Sequence, residues 1–209
     1  MKKIISLCVI IVMAMSITAC SNTDDMNDDG KKANATTSML KGKDYVAQQG
    51  ENFQYDNGKF VVSLNKVYSL EQTGDSSNKT LIALEMTTKN NSGSDRILSG
   101  LKNFTTTVDG NETGTPLSVL GLVDFNHYFG ADMIINEETV KNGDTKTFIM
   151  PTEVPNNFET LTVSFKPYVN FSNDTVSFTI KKENCVKLPD NPEDFTYSKQ
   201  TSAVTTLAE

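Results

Sequence analysis

From about Asn52 to Lys182, apolar and polar positions alternate in short runs that stop at turn residues. Phe53 and Tyr55 run into Asn57-Gly58, the strongest two-residue hairpin signal. Phe60, Val62, Leu64, Tyr68 and Leu70 then share one parity, broken only at Lys66; Ile82, Leu84 and Met86 do the same before Asn90-Asn91-Ser92-Gly93. Phe104, Thr106 and Val108 alternate with Thr105 and Thr107 up to Asp109-Gly110. Asn142-Gly143 precedes Thr147-Phe148-Ile149-Met150, which Pro151 closes. Leu161, Val163 and Phe165 oppose Thr162, Ser164 and Lys166, and Val176, Phe178 and Ile180 repeat the pattern. Period-two runs rich in β-branched and aromatic residues mark half-buried strands. They predict an all-β fold over residues 51–183, an antiparallel two-sheet sandwich of about seven strands. Val163 and Phe178 are expected to be fully buried on its inner faces.

Two stretches lack this period. Residues 111–139 hold Leu117, Val119, Leu120, Leu122, Val123 and Phe125 without clear spacing, and form a long insertion that is either helical or irregularly stranded. Residues 184–209, with Pro189 and Pro192, read as a C-terminal tail, packed along the domain or mobile.

The first residues follow another logic. Lys2 and Lys3 precede an apolar stretch from Ile4 to Met15, too short to span a bilayer and of the length of a secretory h-region. Ile17-Thr18-Ala19-Cys20 resembles the lipobox read by bacterial lipoprotein-processing enzymes. That resemblance implies a signal peptide over residues 1–19, cleavage before Cys20, and lipid on the Cys20 thiol. Two or more acyl chains anchor stably where one does not. Residues 20–50 are polar at their start, without hydrophobic periodicity, and read as a flexible tether. The expected location is the extracellular face of the cell membrane.

Composition narrows the partners. The formal charge of −7 falls to −9 once Lys2 and Lys3 leave with the signal peptide, which disfavours nucleic acid. Cys8 leaves too and Cys20 is lipidated, so Cys185 is the one remaining thiol and no intramolecular disulfide is expected.

Candidate chemistry is sparse. His127 is the single histidine, and no Gly-x-Ser-x-Gly occurs. Ser-x-x-Lys begins at Ser38, Ser63, Ser76 and Ser99 without the Ser-Asp-Asn or Lys-Thr-Gly partners of penicillin-recognising enzymes. Glu137-Glu138 offers two carboxylates, but strand neighbours point to opposite faces. Asp25-x-Asn27-x-Asp29-Gly30 opens like a calcium loop, yet Thr36 stands where the bidentate Glu belongs. Asp124, His127 and Asp132 are too thin a set to assign a metal. No enzyme activity, metal or cofactor is expected.

The order Lys59-Phe60-Val61-Val62, Leu81-Ile82-Ala83-Leu84-Glu85-Met86, Lys89-Asn90-Asn91, Phe104 to Gly110, and Val140-Lys141-Asn142-Gly143-Asp144-Thr145 through Phe148 to Pro151 carries a resemblance. It resembles the telokin-like, immunoglobulin-fold domains of uncharacterised lipoproteins common in Gram-positive bacteria. The resemblance implies an Ig-like sandwich over roughly residues 52–182 and brings no binding residues with it. The expected role is a non-enzymatic binding module for a protein or envelope polymer. The alternative is a carrier of a small ligand or metal ion at 111–139. In either role the binding surface is expected at Phe125, His127, Tyr128 and Phe129, since aromatics in a long connection offer contact area; the other reading of the same aromatics is that they cover one end of the sandwich.

Overall fold

The structure is a computed structural model and describes residues 42–56, 58–71, 78–112, 119–135, 137–167 and 174–198. Twelve strands are present among the described residues: β1 (Asp44–Ala47), β2 (Phe53–Tyr55), β3 (Phe60–Glu71), β4 (Lys79–Asn90), β5 (Arg96–Ser99), β6 (Phe104–Val108), β7 (Asn111–Glu112), β8 (Glu137–Val140), β9 (Thr145–Pro155), β10 (Thr160–Phe165), β11 (Thr175–Lys181) and β12 (Val186–Lys187). One helix, α1 (Val119–Phe129), lies within the 111–139 insertion.

The predicted all-β sandwich is present. One sheet has the order β1-β11-β10-β6-β7; the other has β12-β3-β4-β9, with β2 also paired to β3. A two-stranded sheet, β5-β8, flanks them. Phe104, Leu161, Val163, Phe165, Val176, Phe178 and Ile180 from the first sheet meet Phe60, Val62, Leu64, Leu84, Met86, Phe148 and Met150 from the second in one core. Val163 and Phe178 have no exposed surface, as their parity requires. On the outer face of the first sheet, Thr162 pairs with Thr179 and Ser164 with Ser177 through their hydroxyls. Most pairings are antiparallel, but β1 joins β11 and β12 joins β3 in parallel.

The folded unit extends beyond its expected N-terminal boundary, and the C-terminal segment takes the packed of its two expected forms. Residues 44–47, assigned to the tether, form β1 on the edge of a sheet. Residues 184–198 pack on the domain: Leu188 is buried and donates its N–H to Ser69 O at 2.9 Å.

The single parity read through β3 fails at its centre. Leu64 pairs with Met86 and Lys66 with Glu85, leaving Asn65 as a bulge residue. One extra residue turns every later side chain over. Val67 therefore faces the inter-sheet core, whereas Tyr68 and Leu70 face outward into a second cluster. The second sheet is thus apolar on both faces, and its outer face needs a cover.

Pro151 does not close β9, which runs on to Pro155. Ile149 N–H points away from β4, to Met133 O at 2.7 Å. Backbone direction alternates along a strand, so Pro151 and Pro155 occupy the same outward-facing register. Their missing N–H groups remove edge donors that would recruit another strand. The β2–β3 hairpin forms with Asp56 and Gly58 in the left-handed region (φ 45° and 83°), while Asn57 lies outside the described residues.

Candidate functional site

The cover is built from α1 and the C-terminal segment. Phe125, Tyr128 and Phe129 stand at i, i+3 and i+4, which puts them on one helical face. All three are buried, with Tyr68, Leu70, Leu81, Ala83, Ile149 and Leu188 in the same cluster. Phe129 is the hub: its ring centroid lies 5.1 Å from Tyr68, 5.5 Å from Phe195 and 5.2 Å from Tyr197. Gly130 ends the helix at φ 85°, a conformation that costs a residue with a Cβ.

Of the two readings of these aromatics the structure has the cover, which corrects the expected binding surface. Phe125, Tyr128 and Phe129 cover the sheet, because a twice-apolar sheet must bury its second face. His127 alone of the four candidates is exposed, next to Asn126, with Val123 at 58% exposure one turn earlier.

On the rim of α1 lies an open cleft of about 260 Å³, lined by Leu70, Glu71, Asp124, His127, Tyr128, Asp190 and Pro192. Tyr128 forms its wall and donates its hydroxyl to Pro189 O at 2.7 Å. Burial first, then the Asp190 and Asp124 charges, raise the Tyr128 phenol above its ordinary value. Asp124, Asp190 and Glu71 give the cleft a negative lining, although Lys187 pairs with Glu71 at 3.4 Å. Such a lining attracts cationic groups.

The metal triad does not assemble. Asp124 and His127 share the cleft, while Asp132 lines a separate groove with Glu138 and Asp144. Among the described residues, no three His, Cys, Asp or Glu side chains converge to hold an ion. Glu137 and Glu138 are instead held by Lys102 (3.6 Å) and Lys146 (2.5 Å). Cys185 packs against the inter-sheet core, and burial pushes its thiol up to about 11. Cys20 and the Asp25–Gly30 stretch lie outside the described residues.

The sequence pattern missed a buried carboxylate. Glu85, on the outer face of β4, has no exposed surface. It accepts from Tyr68 Oη at 3.1 Å and weakly from Asn65 Nδ2 at 3.4 Å, and has no ion-pair partner among the described residues. Lys66 stands opposite in register, but its ammonium sits 5.7 Å from the Tyr68 ring centroid. Burial, then the nearby Glu85 charge, pushes the Tyr197 phenol up to about 12. The signal that would have exposed this network was the bulge, since only with Asn65 looped out do Tyr68 and Glu85 share a face.

A second surface went unread because it joins distant residues. Ile97 and Leu101 are 49% and 54% exposed. Ile97 lines a hollow of about 250 Å³ together with Ser99, Lys102, Asn103, Glu137, Lys166 and Pro167.

No family model matches this chain, and no curated protein does. Solved structures give weak likenesses. A candidate lipoprotein of Bacillus subtilis is 12% identical at TM-score 0.45, over 63% of this chain and 38% of its own; this chain thus spans well under half of it. An uncharacterised β-sandwich protein of Clostridium difficile is 14% identical at TM-score 0.38, over 67% of this chain and 96% of its own. A candidate lipoprotein of Staphylococcus aureus is also 14% identical at TM-score 0.38, over 66% and 96%.

Proposed function

We propose that this chain is a lipoprotein, lipidated at Cys20 and held on the extracellular face of the cell membrane, whose Ig-like sandwich binds a protein or envelope polymer without catalysing a reaction. The observation that carries the binding role is the exposed side of α1. Val123, Asn126 and His127 face solvent on a helix whose other side is fixed by three buried aromatics. A surface held rigid by its own core loses little entropy on binding. The acidic cleft beside it favours a partner that presents lysines or other cations.

The carrier alternative draws less support. Small-molecule sites are usually concave, mostly apolar clefts or cavities of about 300–1,000 Å³. The cleft is smaller and open, and Phe125 is buried in the core rather than lining it.

Two measurements test the proposal. Cys20→Ala should abolish fatty-acid labelling and membrane retention; unchanged labelling would end the lipoprotein reading. For the binding role, envelope extract is passed over the full chain and over a V123D/H127A variant with the same melting temperature. Loss of the captured component in the variant supports the site, and equal capture moves binding elsewhere.

A further inference from the structure

We propose that the corner formed by Ile97, Leu101, Lys102, Lys166 and Pro167 is the part of the domain that rests on the lipid bilayer. The inference builds on the Cys20-lipidated reading and adds an orientation to it.

The chain enters the fold at this end. Thr175 donates its N–H to Lys43 O at 2.8 Å, which fixes the start of β1 beside the start of β11. Val176 pairs with Phe165 at the end of β10, and Phe165 pairs with Phe104 at the start of β6. Lys166 N–H then bonds Asn103 O at 2.8 Å, and Asn103 Oδ1 accepts from Ser99 N–H at 2.9 Å. These contacts form one row across the end of the sheet. Lys43 at one side and the 99–103 turn at the other are three strand spacings apart, or about 15 Å. Cys20 precedes Gly42 by 22 positions. That length limits their separation to about 75 Å, so this end can reach the membrane with chain to spare.

The corner has the chemistry of an interfacial contact. Leu101 and Ile97 are two of the five large apolar side chains most exposed among the described residues; Ile97 stands on β5 and Leu101 in the turn that follows it. Lys102 and Lys166 flank them, with stems that can lie on an apolar surface while the ammonium groups reach phosphates. Glu137 is held by Lys102, Asp56 by Lys59, and Asp174 accepts from the Lys43 N–H, while Asp44 at the start of β1 faces solvent. The acidic cleft lies toward the far end. Leu70 and Glu71 finish β3, whereas Phe60 at its start stacks on Phe165 of the entry end, 6.0 Å between centroids. Twelve residues of strand separate the two by roughly 35 Å. An anchored entry end leaves the cleft facing outward.

The chain contains no tryptophan, which supplies the test. Full-length lipidated L101W and, separately, V123W are placed in vesicles of phosphatidylcholine and phosphatidylglycerol carrying bromine high on the acyl chains. I97W serves as a second probe should L101W melt early. The L101W emission should shift to shorter wavelength and be quenched at least about two-fold, while V123W stays water-exposed. Flotation with the vesicles but no quenching of L101W or I97W overturns the orientation and leaves the lipoprotein reading intact. Equal quenching at both ends also overturns it. Failure to float overturns both.

Discussion

Tyr128 donates its hydroxyl hydrogen to the Pro189 carbonyl at 2.7 Å, tying α1 to a segment 61 positions later. The bond closes over an aromatic cluster in which Phe129 touches Tyr68, Phe195 and Tyr197. Helix and C-terminal segment therefore cover the second sheet as one unit.

Breaking that unit should be read in stability. Tyr128→Phe removes one hydrogen bond and should cost about 0.5–1.5 kcal/mol. Phe129→Ala empties the hub and should cost about 3–5 kcal/mol. Denaturant melts decide it; a Phe129→Ala chain as stable as the parent would mean that these rings do not cover the sheet.

The bulge at Asn65 makes a parity prediction. Val67→Ala should cost about 1.5–3 kcal/mol because Val67 lies in the inter-sheet core. Lys66→Ala should stay within about 0.5 kcal/mol. Deleting Asn65 should leave a chain that still folds, since Leu64 and Val67 then stand two positions apart on the core face while Lys66 and Tyr68 stay on the outer one. Equal melts for the two alanine variants would contradict the bulged register.

Cys185 should be a slow thiol. With its pKa near 11, about one native molecule in a thousand carries a thiolate at pH 8, against roughly one in four for a free cysteine. Reaction with a disulfide reagent should be on the order of a hundred-fold slower in the folded chain than after denaturation. Comparable rates in the two states would show the thiol to be open.

Asp109 links one turn to acid. Its backbone is left-handed (φ 49°), and its Oδ1 accepts N–H bonds from Thr160 at 2.7 Å and Glu159 at 3.0 Å. The Thr160 bond is the main reason its carboxyl lies below the usual range. A folded pKa below the unfolded value of about 3.9 stabilises above that value, and the effect is lost as pH falls through the folded pKa. Asp109→Asn should therefore be less stable than the parent at pH 7, with the gap narrowing in acid as the folded carboxylate is protonated. A gap of equal size at pH 7 and in acid would rule out the carboxylate as its source.

The sequence by itself determined the sandwich. Alternation at Leu161-Val163-Phe165 and Val176-Phe178-Ile180 needs only the two-residue period of a strand, and both sets are buried as read. It also marked the turns at Asp109-Gly110 and Asn142-Gly143, because few residues accept positive φ. Tertiary structure decided which face each remaining apolar residue serves. Tyr68 and Leu70 keep the parity of Phe60 on paper, but one looped-out residue, Asn65, sends them to the other side of the sheet. That reversal creates the outer apolar face, and burying it consumes Phe125, Tyr128 and Phe129, the aromatics whose sequence context resembled a binding surface. Pairing partners were equally hidden. The parallel contacts of β1 and β12 join residues over a hundred positions apart, and no local period records which distant edge a short strand will meet.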